Sequence, residues 1–203
     1  YKIAKEACEV EINKLGNPIG KQDQFAAAYG GLRFYEFFPD GFVKVEPVIM
    51  RHESYKKMQN NLLMFYTGLT HNANTILKEE TKSLKNNRDK IEATKKLCDM
   101  TRELKYSLEQ NNVDALGETL KRSWEIKRSL AAGISNPLID SLYQKALENG
   151  AIGGKLLGAG GGGFLLFYVP TEEGRNNVRK ALSSYQEMPF ELDQSGVSII
   201  FMD

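Results

Sequence analysis

The sequence predicts an α+β fold, and three observations carry that expectation. Short apolar runs at Leu62–Thr67, Ile152–Leu157 and Phe164–Val169 read as strands. Between and after them, apolar residues recur at helical spacing. The third observation is a loop: seven of the eleven residues from Gly153 to Gly163 are glycine, and the next six are apolar. Each glycine costs backbone entropy on folding, so a run of them marks positive φ angles or a close approach to the main chain.

In chain order, residues 1–15 read as the tail of a helix. Ile3, Ala7, Val10 and Lys14 fall near one face, with Ala4, Cys8 and Glu11 beside it. Gly16-Asn17-Pro18 ends it. Residues 20–30 read as a short helix closed by Gly30-Gly31. Leu32–Phe38 and Phe42–Val48 are aromatic and β-branched around Pro39-Asp40-Gly41, which predicts a hairpin. After the strand at Leu62–Thr67 come three helices. Leu97, Met100, Leu104 and Leu108 mark the first, and Val113, Leu116, Leu120, Trp124 and Lys127 the second. Asn136-Pro137 caps and opens the third, which carries Leu138, Leu142 and Ala146. Thr171 caps a last helix with Val178, Ala181 and Leu182 on its inner face, and residues 188–192 and 196–202 are expected to close the chain as a hairpin. The charged stretch Lys78–Lys96, interrupted by Glu79 and Glu80, reads as a solvated helix face or loop.

Composition narrows the classes. The chain has 203 residues, room for one large or two small domains, and 41% hydrophobic with 26% charged residues is ordinary for a globular protein. The net charge of +1 leaves no footprint for nucleic acid or a membrane surface. Cys8 and Cys98 form no CxxC pair and fit free thiols in a reducing cytoplasm. Two histidines without a Cys/His cluster argue against zinc. No apolar run approaches the roughly 20 residues of a membrane span. The chain opens on Tyr1, directly in a helical pattern, which raises the expectation that it is cut from something longer.

Two segments carry chemistry. Successive N–H groups in a glycine loop can form a concave anion site, whereas a plain tight turn would need only one or two glycines. In Gly20-Lys21-Gln22-Asp23-Gln24 a carboxylate sits at the start of a short helix, where it can cap the free N–H groups or stay ionised for catalysis.

Read together, Gly20–Ala26 and Lys155–Gly163 resemble the catalytic-aspartate segment and the C-terminal glycine motif of the GHMP kinases, which phosphorylate small hydroxyl compounds. Gly-x-x-Asp-Gln is the form found in galactokinases, and Phe65-Tyr66-Thr67-Gly68 also looks like the sugar-kinase branch. Within that branch the likeness is greatest to bacterial D-glycero-D-manno-heptose 7-phosphate kinases. His71 stands where an arginine is expected after Thr70, which puts the substrate phosphate contact in doubt. The family's central phosphate loop, P-x-x-x-G-L-G-S-S-A, is nowhere in these 203 residues.

The resemblance implies a two-domain kinase. Residues 1–50 would be the remnant of the N-terminal domain, and 51–203 a ferredoxin-like C-terminal domain. It implies ATP and magnesium, a sugar phosphate acceptor, a cytoplasmic setting and no nucleic-acid or membrane partner, with homo-oligomers left open. Asp23 would be the catalytic base. Glu11, seven residues before Pro18, would hold magnesium, against the alternative of a solvent-facing helix glutamate. Gly158, Ala159, Gly160, Gly161, Gly162 and Gly163 would frame the substrate. Lys21, Gln24 and Thr67 are weaker substrate candidates. The 203 residues alone are expected to be inactive. A non-catalytic sugar-binding or dimerisation module stays open as the alternative, as do galactokinase-like and mevalonate-like specificities.

Overall fold

The computed structural model describes residues 1–70, 74, 76–78, 81–82, 87–198 and 200. His71 lies outside them, as do parts of the 78–96 stretch and of the expected strand at 196–202. The described chain divides into two compact units, residues 1–49 with 191–203, and residues 50–190.

The first unit opens with helix α1 (Lys2–Cys8), which passes straight into a π-helical segment, Glu9–Lys14. Ala4 and Cys8 are the buried residues of α1, whereas Ile3 and Val10 are both 45% exposed. The expected apolar face is therefore turned outward. Small residues let α1 close on helix α2 (Gln22–Tyr29), whose Phe25 fills this unit's core with Val43. Strands β1 (Arg33–Phe37) and β2 (Val43–Pro47) form the expected antiparallel hairpin, with Tyr35 opposite Val45.

Residues 191–198 pack in this first unit, although the sequence reading placed them with the second. The backbone is the reason. The Gly31 N–H donates to the Asp193 carbonyl at 2.7 Å, and the Val197 N–H donates to the Ala28 carbonyl at 3.2 Å. A Cβ on Gly30, where φ is +59°, would stand 2.2 Å from the Gly196 nitrogen. The expected 188–192/196–202 hairpin is not formed among the described residues. The Asp193 carbonyl and the Val197 N–H bond to residues flanking the Gly30 turn instead, and the Met188 N–H donates to Met64 of β3.

The second unit begins with helix α3 (His52–Asn60), which the sequence reading had not assigned, and strand β3 (Leu62–Tyr66). Helices α4 (Arg88–Glu109), α5 (Ala115–Leu130) and α6 (Pro137–Glu148) follow. Strand β4 (Gly153–Leu156), the glycine loop, strand β5 (Phe164–Tyr168) and helix α7 (Glu172–Ala181) complete it. The predicted caps form. Asn136 Oδ1 accepts from the Leu138 and Ile139 N–H groups, both at 3.1 Å, and Thr171 Oγ1 accepts from Gly174 at 3.0 Å.

The sheet order is β3-β5-β4, all antiparallel. A short fourth edge runs beside β3, where Phe65 bridges Glu187 and the Tyr66 N–H donates to the Gln186 carbonyl. Numbered in chain order the sheet reads 4-1-3-2, the ferredoxin-like pattern. Leu63, Phe65, Leu156, Leu165 and Phe167 point to one face and meet Trp124, Ile139, Leu142, Tyr143, Val178 and Leu182 from the helices. Gly153 and Gly154 belong to this packing. A Cβ on Gly153 would stand 2.1 Å from the Gly117 carbonyl oxygen, and one on Gly154 2.5 Å from the Phe167 ring. A side chain at Gly153 would push α5 off the sheet, and one at Gly154 would collide with β5. No helix among the described residues is long and apolar enough to cross a membrane.

Candidate functional site

The chemistry-bearing residues lie in both units. In the first, Lys21 is the N-cap of α2 and supplies no side-chain cap, so Asp23 enters on the helix's first turn. Asp23 is exposed and, among the described residues, makes no side-chain hydrogen bond or ion pair. The capping alternative is therefore not realised. The carboxylate stands in water on the first turn of α2.

Glu11 lies inside the π-helical segment. The Leu15 N–H donates to the Val10 carbonyl at 2.9 Å, the wide i→i+5 pairing, and the Asn17 N–H donates to the Glu11 carbonyl at 3.1 Å. Such segments are rare and recur at functional sites. The Glu11 carboxylate is half-buried and accepts a hydrogen bond from Gln24 Nε2 at 2.9 Å. Gln24 Oε1 in turn lies 4.0 Å from the Cys8 thiol. Burial pushes the Cys8 thiol above its ordinary value, with Lys21 pulling weakly the other way, so the sulfur keeps its proton to donate.

Two weaker candidates change role here. Gln24 is buried, with both ends of its amide engaged inside the protein. Lys21 reaches the hairpin turn, its ammonium 3.4 Å from the Gly41 carbonyl, and does not pair with Asp23.

Magnesium takes near-octahedral oxygen ligands and is held by one or two carboxylates together with nucleotide phosphates and waters. Among the described residues no group of three or more acidic, histidine or cysteine side chains could cage a metal. A single oriented carboxylate such as Glu11 fits that arrangement.

In the second unit the glycine loop has an architecture the sequence did not disclose. Gly158, Gly160, Gly161 and Gly163 all have positive φ, between +76° and +124°. Gly160, Gly161 and Gly162 are buried. A Cβ on Gly160 would stand 2.7 Å from Ile134 Cα, and one on Gly162 2.6 Å from the Leu69 carbonyl oxygen. The Gly161 N–H donates to Ile134 O at 3.0 Å and the Gly163 N–H to Leu69 O at 2.9 Å. Asn136 Nδ2 donates to Gly161 O at 3.2 Å. Two N–H groups of the expected anion cradle are thus already engaged by backbone carbonyls. Gly158 is exposed, with open space where a Cβ would be.

Thr67, expected to touch substrate, is 2% exposed. Its hydroxyl donates to Gly163 O at 2.9 Å and accepts from the Leu69 N–H at 3.3 Å. It ties the loop to residues 67–69. Lys155, at the loop's entrance, has its pKa lowered chiefly by burial and then by the charge of Lys127.

Comparison with known proteins agrees with this layout. Residues 104–187 match the family described as GHMP kinases C terminal. The D-glycero-alpha-D-manno-heptose 7-phosphate kinase of Campylobacter jejuni is 33% identical over 187 residues, which cover 92% of this chain and 54% of that enzyme. The bifunctional fucokinase/GDP-fucose pyrophosphorylase of Arabidopsis thaliana is 27% identical over 85% of this chain and 17% of its own length. Among solved structures, a D-glycero-D-manno-heptose 1-phosphate kinase from Bacteroides thetaiotaomicron aligns with a TM-score of 0.65 at 25% identity, covering 95% of this chain and 52% of that one. The Lactococcus lactis galactokinase complexed with galactose shares the fold at a TM-score of 0.63 and 18% identity, over 93% of this chain and 57% of that one. The chain spans about half the length of the heptose kinases it matches. Within it, residues 104–187 match the C-terminal domain of the GHMP kinases.

Proposed function

We propose that this chain, with its GHMP kinase C-terminal domain, is part of an ATP-dependent sugar kinase whose acceptor is a heptose phosphate. The observation that carries the reading is the 33% identity to a heptose 7-phosphate kinase over 92% of the chain, a stretch that contains Asp23. The exposed, unpartnered carboxylate on the first turn of α2 supports it.

In this reading Asp23 takes the proton of the attacking sugar hydroxyl, a contribution of about 10²–10⁴-fold. Phosphoryl transfer otherwise depends on positioning and charge neutralisation. Glu11 holds magnesium, which neutralises nucleotide phosphate charge when bound. The glycine loop, fixed by Thr67, Leu69 and Ile134, supplies a rigid wall with Gly158 at its open end. In this reading the work belongs to the cytoplasm, where ATP and sugar phosphates are both at hand.

The test is an acceptor panel on the protein in its natural full length, with ATP and magnesium. Heptose 7-phosphate should be phosphorylated faster than galactose, mevalonate or fucose. Preference for another sugar would overturn the acceptor. Sugar binding without phosphorylation of any acceptor would instead make the protein a non-catalytic module.

A further inference from the structure

The residue after Asp23 has a task the kinase reading leaves unassigned. Gln24 is 6% exposed, although it occupies an exposed turn of α2 beside a solvent-facing carboxylate. A buried primary amide is stabilising only where both of its ends find partners. Here they do. Nε2 donates to Glu11 Oε2 at 2.9 Å and Oε1 lies 4.0 Å from the Cys8 sulfur, within reach of a thiol donor. The orientation of the amide follows from chemistry, because a carboxylate accepts only from the NH₂ end and the protonated thiol donates only to the carbonyl end. Glu11 also sits in a π-helical segment, in which the wide turn re-aims side chains relative to an α-helix.

We infer that Gln24 is a positioning residue that holds the Glu11 carboxylate in the orientation that receives the metal of the metal–nucleotide complex, with Cys8 locking the far end of the amide. The inference rests on the proposed role of Glu11. Its logic is that of any ligand carboxylate, which binds a hard cation well only when a neighbouring donor fixes its rotamer, and loss of such a partner typically weakens metal affinity by about 10–100-fold. The Gln24–Glu11 bond links the helix that carries the proposed base to the segment that carries the proposed ligand, so one side chain sets the position of the other.

The experiment uses Mn²⁺ as the probe, titrated by electron paramagnetic resonance into the full-length protein with a non-hydrolysable ATP analogue. Gln24→Met keeps the volume and removes both hydrogen bonds. It should weaken Mn²⁺ binding about 10–100-fold, raise the magnesium requirement of turnover, and leave the sugar KM within about twofold. A residue that merely fills the core would not move the metal affinity at all. If Glu11→Gln loses Mn²⁺ while Gln24→Met retains it, the inference on Gln24 is overturned and the metal role of Glu11 stands. If neither variant changes Mn²⁺ affinity, the role of Glu11 fails and the inference falls with it. Should Gln24→Met not fold, the Gln24 side-chain amide of the unmodified protein decides by NMR. A downfield, slowly exchanging proton that is lost in Glu11→Gln supports the inference. An amide signal indifferent to that change contradicts it.

Discussion

In residues 1–49 the Asp23 carboxylate faces water with no side-chain partner among the described residues, whereas Gly160 and Gly162 in the second unit are pressed against the backbones of Ile134 and Leu69. The glycine loop stands out by its residue choice alone, Asp23 only through the motif around it. Their construction separates them. A group without local partners is available to a ligand and contributes little to stability. A glycine whose absent Cβ lies 2.7 Å from another backbone is a packing requirement first. Four of the seven glycines between 153 and 163 are explained by such contacts, at 153, 154, 160 and 162. A dense glycine motif is therefore no measure of how many backbone groups face a substrate.

Mutation can break that comparison. The largest effect on stability should come from Gly160→Ala, which combines φ of +124° with a collision against backbone. We expect a loss of about 3–5 kcal/mol, read as a drop in the denaturation midpoint of residues 50–190. Gly158→Ala, with φ of +83° but open space, should lose only about 1–2 kcal/mol. Equal losses at both positions would mean that the Ile134 contact does not shape the loop.

Thr67→Val removes the hydroxyl that spans Gly163 and Leu69 without changing the side chain's volume. It should cost about 1–3 kcal/mol and, by loosening the wall, raise KM for the sugar more than it lowers kcat. Unaltered stability would return Thr67 to the list of substrate contacts.

The smallest effect concerns pH. The Tyr168 hydroxyl holds the Asp114 carboxyl below its usual 3.8, opposed by partial burial and assisted by Lys57. A depressed carboxyl adds stability above its unfolded value, and that stability disappears as pH falls through the lower folded value. Tyr168→Phe should therefore flatten the fall in stability below about pH 4. Because the Asp114 carboxylate is itself half-exposed, the pH-dependent change is under about 1 kcal/mol, measurable as a shallower dependence of urea-unfolding stability on pH. An acid limb as steep as the unmodified protein's would remove Asp114 from the account.

The sequence made the sheet legible because Leu63, Phe65, Leu165 and Phe167 are apolar in strands of ordinary length, and the two caps legible because Asn136 and Thr171 act on their own next few residues. It made Asp23 legible only through a motif. It was silent wherever the decisive partner is remote along the chain. Ile134 and Leu69 make Gly160 and Gly162 obligatory, and the Gly30 turn captures 193–197 and prevents the hairpin expected there. The π-helical segment was equally hidden, since five-residue pairing adds no period of its own to so short a pattern. Just before it, α1 turns Ala4 and Cys8 inward, where the apolar spacing favoured Ile3 and Val10. The burial of Gln24 was hidden for a related reason, because its partners Glu11 and Cys8 lie 13 and 16 residues away along the chain.

The central claim is that availability to a ligand and structural necessity are divided between these two regions, and Asp23→Asn tests it most directly. In the full-length protein kcat should fall about 10²–10⁴-fold, with ATP affinity unchanged and stability within about 0.5 kcal/mol. Turnover near that of the unmodified protein, or a large loss of stability without loss of turnover, would contradict the assignment of Asp23 as the base.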